Sequence, residues 1–248
     1  MSAQQAAETY QNALLSLTHV LKRPMFMIQG ALSNIRDQAS HVVPADLLED
    51  IEDALLSVQH TEVVCSGISR VFAFEAGRTE WERPEAIDAK SEFQGLAGAL
   101  RRSLGRQDLS FSVLGEDVEL MMVRDSFLYV FYSLIDNAVK YSDRGGHIVI
   151  DCGREGSTYR IKVRSKGLEI KDHDSVFRKF ARGEDAYRMN ETGLGLGCWA
   201  AREHMRQMGG DILLETDGPV STFIVEFPPG SVTVNREGEP VEDTLVGQ

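Results

Sequence analysis

The sequence predicts an α+β chain in which an N-terminal helical hairpin, paired with a second copy as a dimeric four-helix bundle, precedes an α/β sandwich domain. Two patterns and one motif predict it. Apolar residues recur at steps of three and four from Leu14 to Phe72, and from about Gly77 short alternating runs separated by helical stretches take over. Glu191 to Gly210 then reads ETGLGLGCWAAREHMRQMGG, a glycine-spaced turn opening a helix.

The first seam comprises Leu14, Leu17, Leu21, Pro24, Ile28, Ala31 and Ile35; the second comprises Leu47, Ile51, Ala54, Val58, Thr61, Cys65, Ile68 and Phe72. The stretch DQASHVVPA between them is short, so the helices return antiparallel. Two such helices enclose no core alone, which is the argument for a homodimer. With Leu17 at heptad position d, His19 falls at f and faces solvent. Pro24 inside the seam removes a backbone hydrogen bond and predicts a kink. His60 on the second helix and His41 in the linker read as surface residues, and His147, His173 and His204 stand outside any motif.

Beyond the hairpin, LSFSVLG (109–115), HIVIDCG (147–153), YRIKVRS (159–165) and STFIVEFP (221–228) alternate as strands do. Helices are predicted at about 90 to 105, 125 to 141 and 195 to 208, covering one face of the sheet. The segment from about Phe180 to Thr192, rich in glycine and charge, reads as a mobile lid. Gly193, Gly195 and Gly197 let backbone N–H groups approach phosphate oxygens at the positive end of the following helix. A tight turn before a core helix would use the same glycines. SLIDNAVKY at Ser133 to Tyr141 tips the balance: Asn137, Lys140 and Tyr141 lie three and four residues apart on one helix surface. Carboxamide oxygen, ammonium and phenol together suit a metal-bound nucleotide.

A chain of 248 residues with 42% hydrophobic content supports one or two domains with a buried core. Cys65, Cys152 and Cys198 are far apart, which argues against a disulfide framework or a CxxC-type metal cluster and leads us to expect a reducing, cytoplasmic location. The N-terminus lacks a basic-then-apolar signal pattern and no run approaches the roughly 18 apolar residues of a bilayer span, so no membrane segment is expected in this chain. The formal charge of −12 argues against nucleic acid as a partner.

In these motifs the chain resembles the catalytic core of a bacterial two-component sensor histidine kinase, with an ATP-binding domain of the type shared by Hsp90, gyrase and MutL. THVLKRPM (18–25) resembles the H box, SLIDNAVKY the N box, VRSKGLEI (163–170) the G1 box, VFRKFARG (176–183) the F box and TGLGLG (192–197) the G2 box, all in the family's order. FEAGR (74–78) is similar to the usual exit from the hairpin. The resemblance implies a dimerisation and phosphotransfer hairpin over 1–77, an ATP-binding domain over 78–230 and a disordered tail over 231–248. It implies autophosphorylation of His19 from ATP and Mg²⁺, with transfer to an aspartate on a response-regulator receiver domain. Asn137 would coordinate Mg²⁺, Lys140 would contact phosphate and Tyr141 would line the pocket. Ser165 and Gly167 stand in the G1 box, and Thr192, Gly193, Leu194, Gly195, Leu196 and Gly197 would wrap the phosphates. Arg182 on the lid would reach the γ-phosphate, although an exposed loop arginine often has no such role.

The chain departs from the family pattern at four positions. Ser165 stands where an aspartate usually accepts the adenine amino hydrogen, a weaker acceptor by about 1 kcal/mol. Glu169 replaces the second glycine of the G1 box and Ser133 the first polar residue of the N box. Val20 stands where an acid usually takes the histidine's proton, help worth about 10²- to 10⁴-fold. Two function classes follow: an ATP-dependent histidine kinase, favoured by the glycines and the Asn137 cluster, and a dimeric phosphotransferase or pseudokinase scaffold with weak ATP binding.

Overall fold

The computed structural model describes residues 3–39, 44–77, 83–181 and 195–234. Helix α1 (Ala3–Ala39) continues through Pro24, and α2 (Ala45–Glu75) packs along it, which so short a connection permits only if the chain reverses. Met25, not the expected Pro24, is the buried residue at that level, as are Ile51 and Leu55 on α2. Leu21, Ile28, Ile35 and Leu47 remain 44% to 49% exposed, so one hairpin leaves much of its apolar stripe uncovered. His19 lies on α1, but its side chain, like all of His41, falls outside the described residues.

The second part begins with β1 (Glu85–Asp88) and α3 (Ala89–Ser103), whose first turn is capped by the Asp88 carboxylate accepting from the Ser91 N–H. There follow β2 (Ser110–Gly115), β3 (Val118–Met122), α4 (Arg124–Tyr141), β4 (His147–Glu155), β5 (Thr158–Lys166), the short α5 (His173–Val176), α6 (Gly197–Gln207), β6 (Asp211–Asp217), β7 (Val220–Phe227) and β8 (Val232–Val234). The main sheet has the order β2-β4-β5-β7-β6, with β2 parallel to β4 and the other pairs antiparallel. A smaller antiparallel sheet, β1-β3-β8, flanks it.

Alternation along the strands decides which face is covered. Ile148, Ile150 and Cys152 of β4, Ile161 and Val163 of β5 and Val225 of β7 enter the core. On the opposite face Arg160 binds Glu155 and Glu226, and Lys162 binds Glu155, a charged ladder that needs no covering layer. The helices meet the apolar face through α4, whose Phe127, Val130, Phe131, Leu134, Ile135 and Ala138 recur at helical spacing. Phe93 of α3 meets the Phe131 ring edge-on at 4.7 Å. Burying each such side chain contributes about 2 kcal/mol, so α4 is the chief apolar support of the fold.

The core extends onto the hairpin, since Ile68, Val71 and Phe72 of α2 belong to it. Two readings of the sequence require correction. His60 is half-buried against the Tyr132 ring at 5.1 Å, and burial lowers its pKa. Val232–Val234, expected within a disordered tail, pair with β3 because the alternating Val-Thr-Val can satisfy that strand's edge; residues 235–248 lie outside the described residues.

His204, unassigned from the sequence, ties α6 to both neighbours. Its Nε2 lies 3.0 Å from the Gly67 carbonyl of α2 and its Nδ1 lies 3.1 Å from the Ser126 Oγ of α4. A carbonyl only accepts, so Nε2 carries the proton and Nδ1 accepts from the hydroxyl, a neutral imidazole. Burial, with Arg70 nearby, pushes its pKa down to about 4. On acidification the unfolded chain therefore takes up this proton first, at its ordinary pKa near 6.5. Stability supplied by the neutral ring is complete above pH 6.5 and is lost as pH falls toward 4, amounting to roughly 3 kcal/mol at the lower end. Urea midpoints measured between pH 6.5 and 5 should fall more steeply for the native chain than for His204→Gln; equal slopes would show that the ring does not carry this linkage.

Candidate nucleotide site

The candidate residues gather where the last turn of α4, the exit of β5 and the start of α6 converge. Gly167 sets the first of these contacts. A Cβ there would lie 1.8 Å from the Tyr141 carbonyl oxygen, so only glycine lets β5 pass the end of α4 this closely. The approach lets Leu168 N–H donate to the Tyr141 carbonyl and Asp143 N–H donate to the Lys166 carbonyl, both at 3.0 Å. It holds the N-box turn in register with Ser165, which is buried on β5 opposite Ser221, their hydroxyl oxygens 3.4 Å apart.

The second contact joins α4 to α6. Gly195 has φ +65°, and a Cβ there would lie 2.4 Å from the Ala181 carbonyl oxygen, so the glycine turn lies flush against the end of the F box. Leu196 is buried and Gly197 opens α6 over Ser133. Among the described residues no side chain caps this helix, so its first N–H groups and positive end are available to an anion. Asn137 Nδ2 donates to Cys198 Sγ at 2.8 Å, and Lys140 Nζ donates to Asp136 Oδ2 at 2.7 Å. Asn137, Lys140 and Tyr141 are each half-buried.

Ser165, Gly167, Asn137, Lys140, Tyr141, Gly195, Leu196 and Gly197 are thus carried by neighbouring segments. Arg182, Thr192, Gly193 and Leu194, with most of the expected lid, lie outside the described residues. The F box also meets the hairpin: Lys179 Nζ reaches Glu75 at 2.6 Å and sits 4.5 Å from the Trp199 ring centre. Sequence reasoning missed Asp136, Ser221 and Cys198 as partners. The Asp136–Lys140 pair was legible from its i,i+4 spacing, whereas the other two contacts join distant segments.

The donor types fit a nucleotide with a hard cation, since a carboxamide oxygen on α4 and the backbone N–H groups at the start of α6 are groups that such a ligand would use. Gly167→Ala should force α4 and β5 apart and lower stability by at least about 2 kcal/mol, read as a reduced urea midpoint. An unchanged midpoint would remove this contact as the organiser of the site.

Comparison with known proteins agrees with this geometry. Residues 122–231 match the family of histidine kinase-, DNA gyrase B-, and HSP90-like ATPases. The chain is 34% identical over 118 residues to the sensor histidine kinase WalK of Bacillus subtilis, covering 45% of this chain and 19% of that protein. It is 24% identical over 216 residues to the signal transduction histidine-protein kinase ArlS of Staphylococcus epidermidis, covering 85% and 46%. The chain therefore spans less than half the length of these relatives. In fold it is similar to the Acinetobacter baumannii histidine kinase AdeS, with a TM-score of 0.54, 21% identity and coverage of 86% of this chain and 98% of that one. Full-length ShkA in complex with AMPPNP is also similar, with a TM-score of 0.55, 18% identity and coverage of 89% and 46%. Residues 122–231 thus match the histidine kinase-, DNA gyrase B- and HSP90-like ATPases, and with the helical hairpin ahead of them the chain is similar in make-up to a sensor histidine kinase catalytic core.

Proposed function

We propose that the chain is an ATP-dependent protein histidine kinase that autophosphorylates His19 and passes the phosphoryl group to an aspartate on a response-regulator receiver domain. The observation that carries this reading is the contact of Asn137, one turn from Lys140 on α4, with the start of α6, whose N-terminus has no side-chain cap among the described residues. Phosphoryl transfer asks a protein chiefly to position and to neutralise. In this reading Asn137 offers its carboxamide oxygen to Mg²⁺, which supplies charge neutralisation at the phosphates. Lys140 exchanges part of its contact with Asp136 for a phosphate oxygen. The N–H groups around Gly195 and Gly197 donate to phosphate oxygens, and Gly193, Thr192, Leu194 and Arg182 complete the wrap. Ser165 and Tyr141 line the base side.

The uncovered stripe of α1 supports a homodimer, in which Leu21, Ile28 and Ile35 would meet their counterparts in a four-helix bundle. The boundaries proposed are 1–77 for the dimerisation and phosphotransfer hairpin and 78–230 for the ATP-binding domain, with α2 contributing to the latter's core. Three free, buried cysteines support a reducing, cytoplasmic setting. The second reading, a phosphotransferase or scaffold with weak nucleotide binding, is favoured by Ser165, whose hydroxyl is the weaker base acceptor, and by Val20.

His19 attacks the γ-phosphorus, forming the N–P bond as the bridging P–O bond breaks and ADP leaves. Val20 is 68% exposed, so an acid at this position would lie on the surface beside the phosphoacceptor. Incubation with γ-labelled ATP should give an acid-labile, base-stable label that His19→Ala abolishes while light scattering still reports about twice 27.5 kDa. Val20→Glu should raise the labelling rate, up to about 10²-fold if proton removal limits it. Label persisting in His19→Ala would move the phosphoacceptor elsewhere. Labelling of His19 from a phosphorylated receiver domain but not from ATP would favour the second reading.

A further inference from the structure

Cys198 is the second residue of α6, immediately behind the glycine turn, and is buried. Its Sγ lies 2.8 Å from Asn137 Nδ2, across two segments that meet only in the fold. We propose that Cys198 is a positioning residue for Asn137, holding the amide nitrogen against α6 so that the carboxamide presents its oxygen to the nucleotide-bound metal. The inference rests on the kinase reading given above and assigns to this chain a partner that fixes its metal-facing amide.

The chemistry follows from the two ends of a carboxamide. Nδ2 carries two donors and Oδ1 only accepts, and rotation by half a turn about χ2 exchanges them at little intrinsic cost. An unconstrained Asn137 would thus spend time with its N–H₂ group facing the cation, an arrangement that repels it. In the fold the N–H₂ end is the one that meets Cys198 Sγ, and this bond holds it on the α6 side with the oxygen end turned away. An aliphatic residue at 198 would fill the same space without selecting an orientation. The contact also couples the two halves of the site, because a shift of α6 carries the metal-facing amide with it.

Partners that orient a metal ligand typically control metal affinity by about 10- to 100-fold. Titration calorimetry of ATP into the full chain, with and without Mg²⁺, measures this term apart from catalysis. In the native chain Mg²⁺ should strengthen ATP binding. In Cys198→Val that gain should shrink by roughly tenfold or more while metal-free ATP affinity stays within about twofold, and Cys198→Ser, which restores an acceptor, should recover most of it. A Cys198→Val chain that keeps the full Mg²⁺-dependent gain overturns the inference and leaves the kinase reading standing. Equal loss of metal-free and metal-dependent affinity in both variants also overturns it, since that is the signature of packing alone. A native chain that binds no ATP removes the nucleotide reading and this inference together.

Discussion

The last turn of α4 reaches the main sheet only because residue 167 has no side chain. With any Cβ in place the Tyr141 carbonyl would have to retreat, and both backbone bonds between the end of α4 and the exit of β5 would lengthen with it. The consequence extends well beyond one turn. Asn137 sits one turn back and Lys140 one residue back on the same helix, so their distance from Ser165 is fixed by this contact. Through Asn137 the position of Cys198 and the start of α6 is fixed as well. Gly195 repeats the device on the other side, letting the turn before α6 lie flush on Ala181. Two missing side chains thus bring together three segments whose functional atoms would otherwise be held apart by ordinary packing distances.

Helix α2 constrains the assembly from outside the sheet. Its Gly67 faces the Tyr129 ring so closely that a Cβ would lie 1.9 Å from a ring carbon, and the Gly67 carbonyl receives the His204 hydrogen bond. At its C-terminal end Glu75 holds Lys179 of the F box. Any rearrangement that lifts the ATPase helices from α2 exposes Ile68, Val71 and Phe72, at about 1.5 to 3 kcal/mol each, and leaves His204 without its carbonyl. The hairpin and the ATPase domain therefore share stability, and a change in the geometry of α2 is felt at α6 through direct contact.

Much of this was legible in the sequence, and the remainder fails for identifiable reasons. Strands with long alternation, such as HIVIDCG and YRIKVRS, matched β4 and β5 because a half-buried strand writes its period into its residues. β1 and β8 are too short to display a period, and β3, VELMM, differs from a turn only because Val118, Leu120 and Met122 turn inward together. β6, DILLETD, was hidden by the Gly-Gly pair ahead of it, although the Asp-Gly that follows is a hairpin signal and the pairing of Asp217 with Val220 leaves a two-residue loop. That Asn137, Lys140 and Tyr141 share one stretch of α4 and that a helix opens at Gly197 were readable because both are local. The Cys198–Asn137 and His204–Gly67 contacts were not, since each joins residues whose proximity only tertiary packing creates. His60 was misread for the same reason: its helix face is covered by α4, which lies far along the chain.

A chain of net charge −12 would have to concentrate positive potential locally to hold a polyanion. Lys140 is the cation nearest the Asn137 amide in sequence, and Asp136 lies 2.7 Å from it, so the pair contributes direction more than charge. The start of α6 adds roughly half an elementary charge, spread over N–H groups that no side chain caps among the described residues. Against several phosphate charges these two contributions by themselves are too small a sum to hold a triphosphate by Coulomb attraction. On the kinase reading proposed above, the glycines would admit the phosphates to the backbone and the Asn137 amide, held by its neighbour, would offer its oxygen. The neutralising charge would then come with the cation that accompanies the nucleotide, and the orientation of one carboxamide would matter more than the loss of one surface cation.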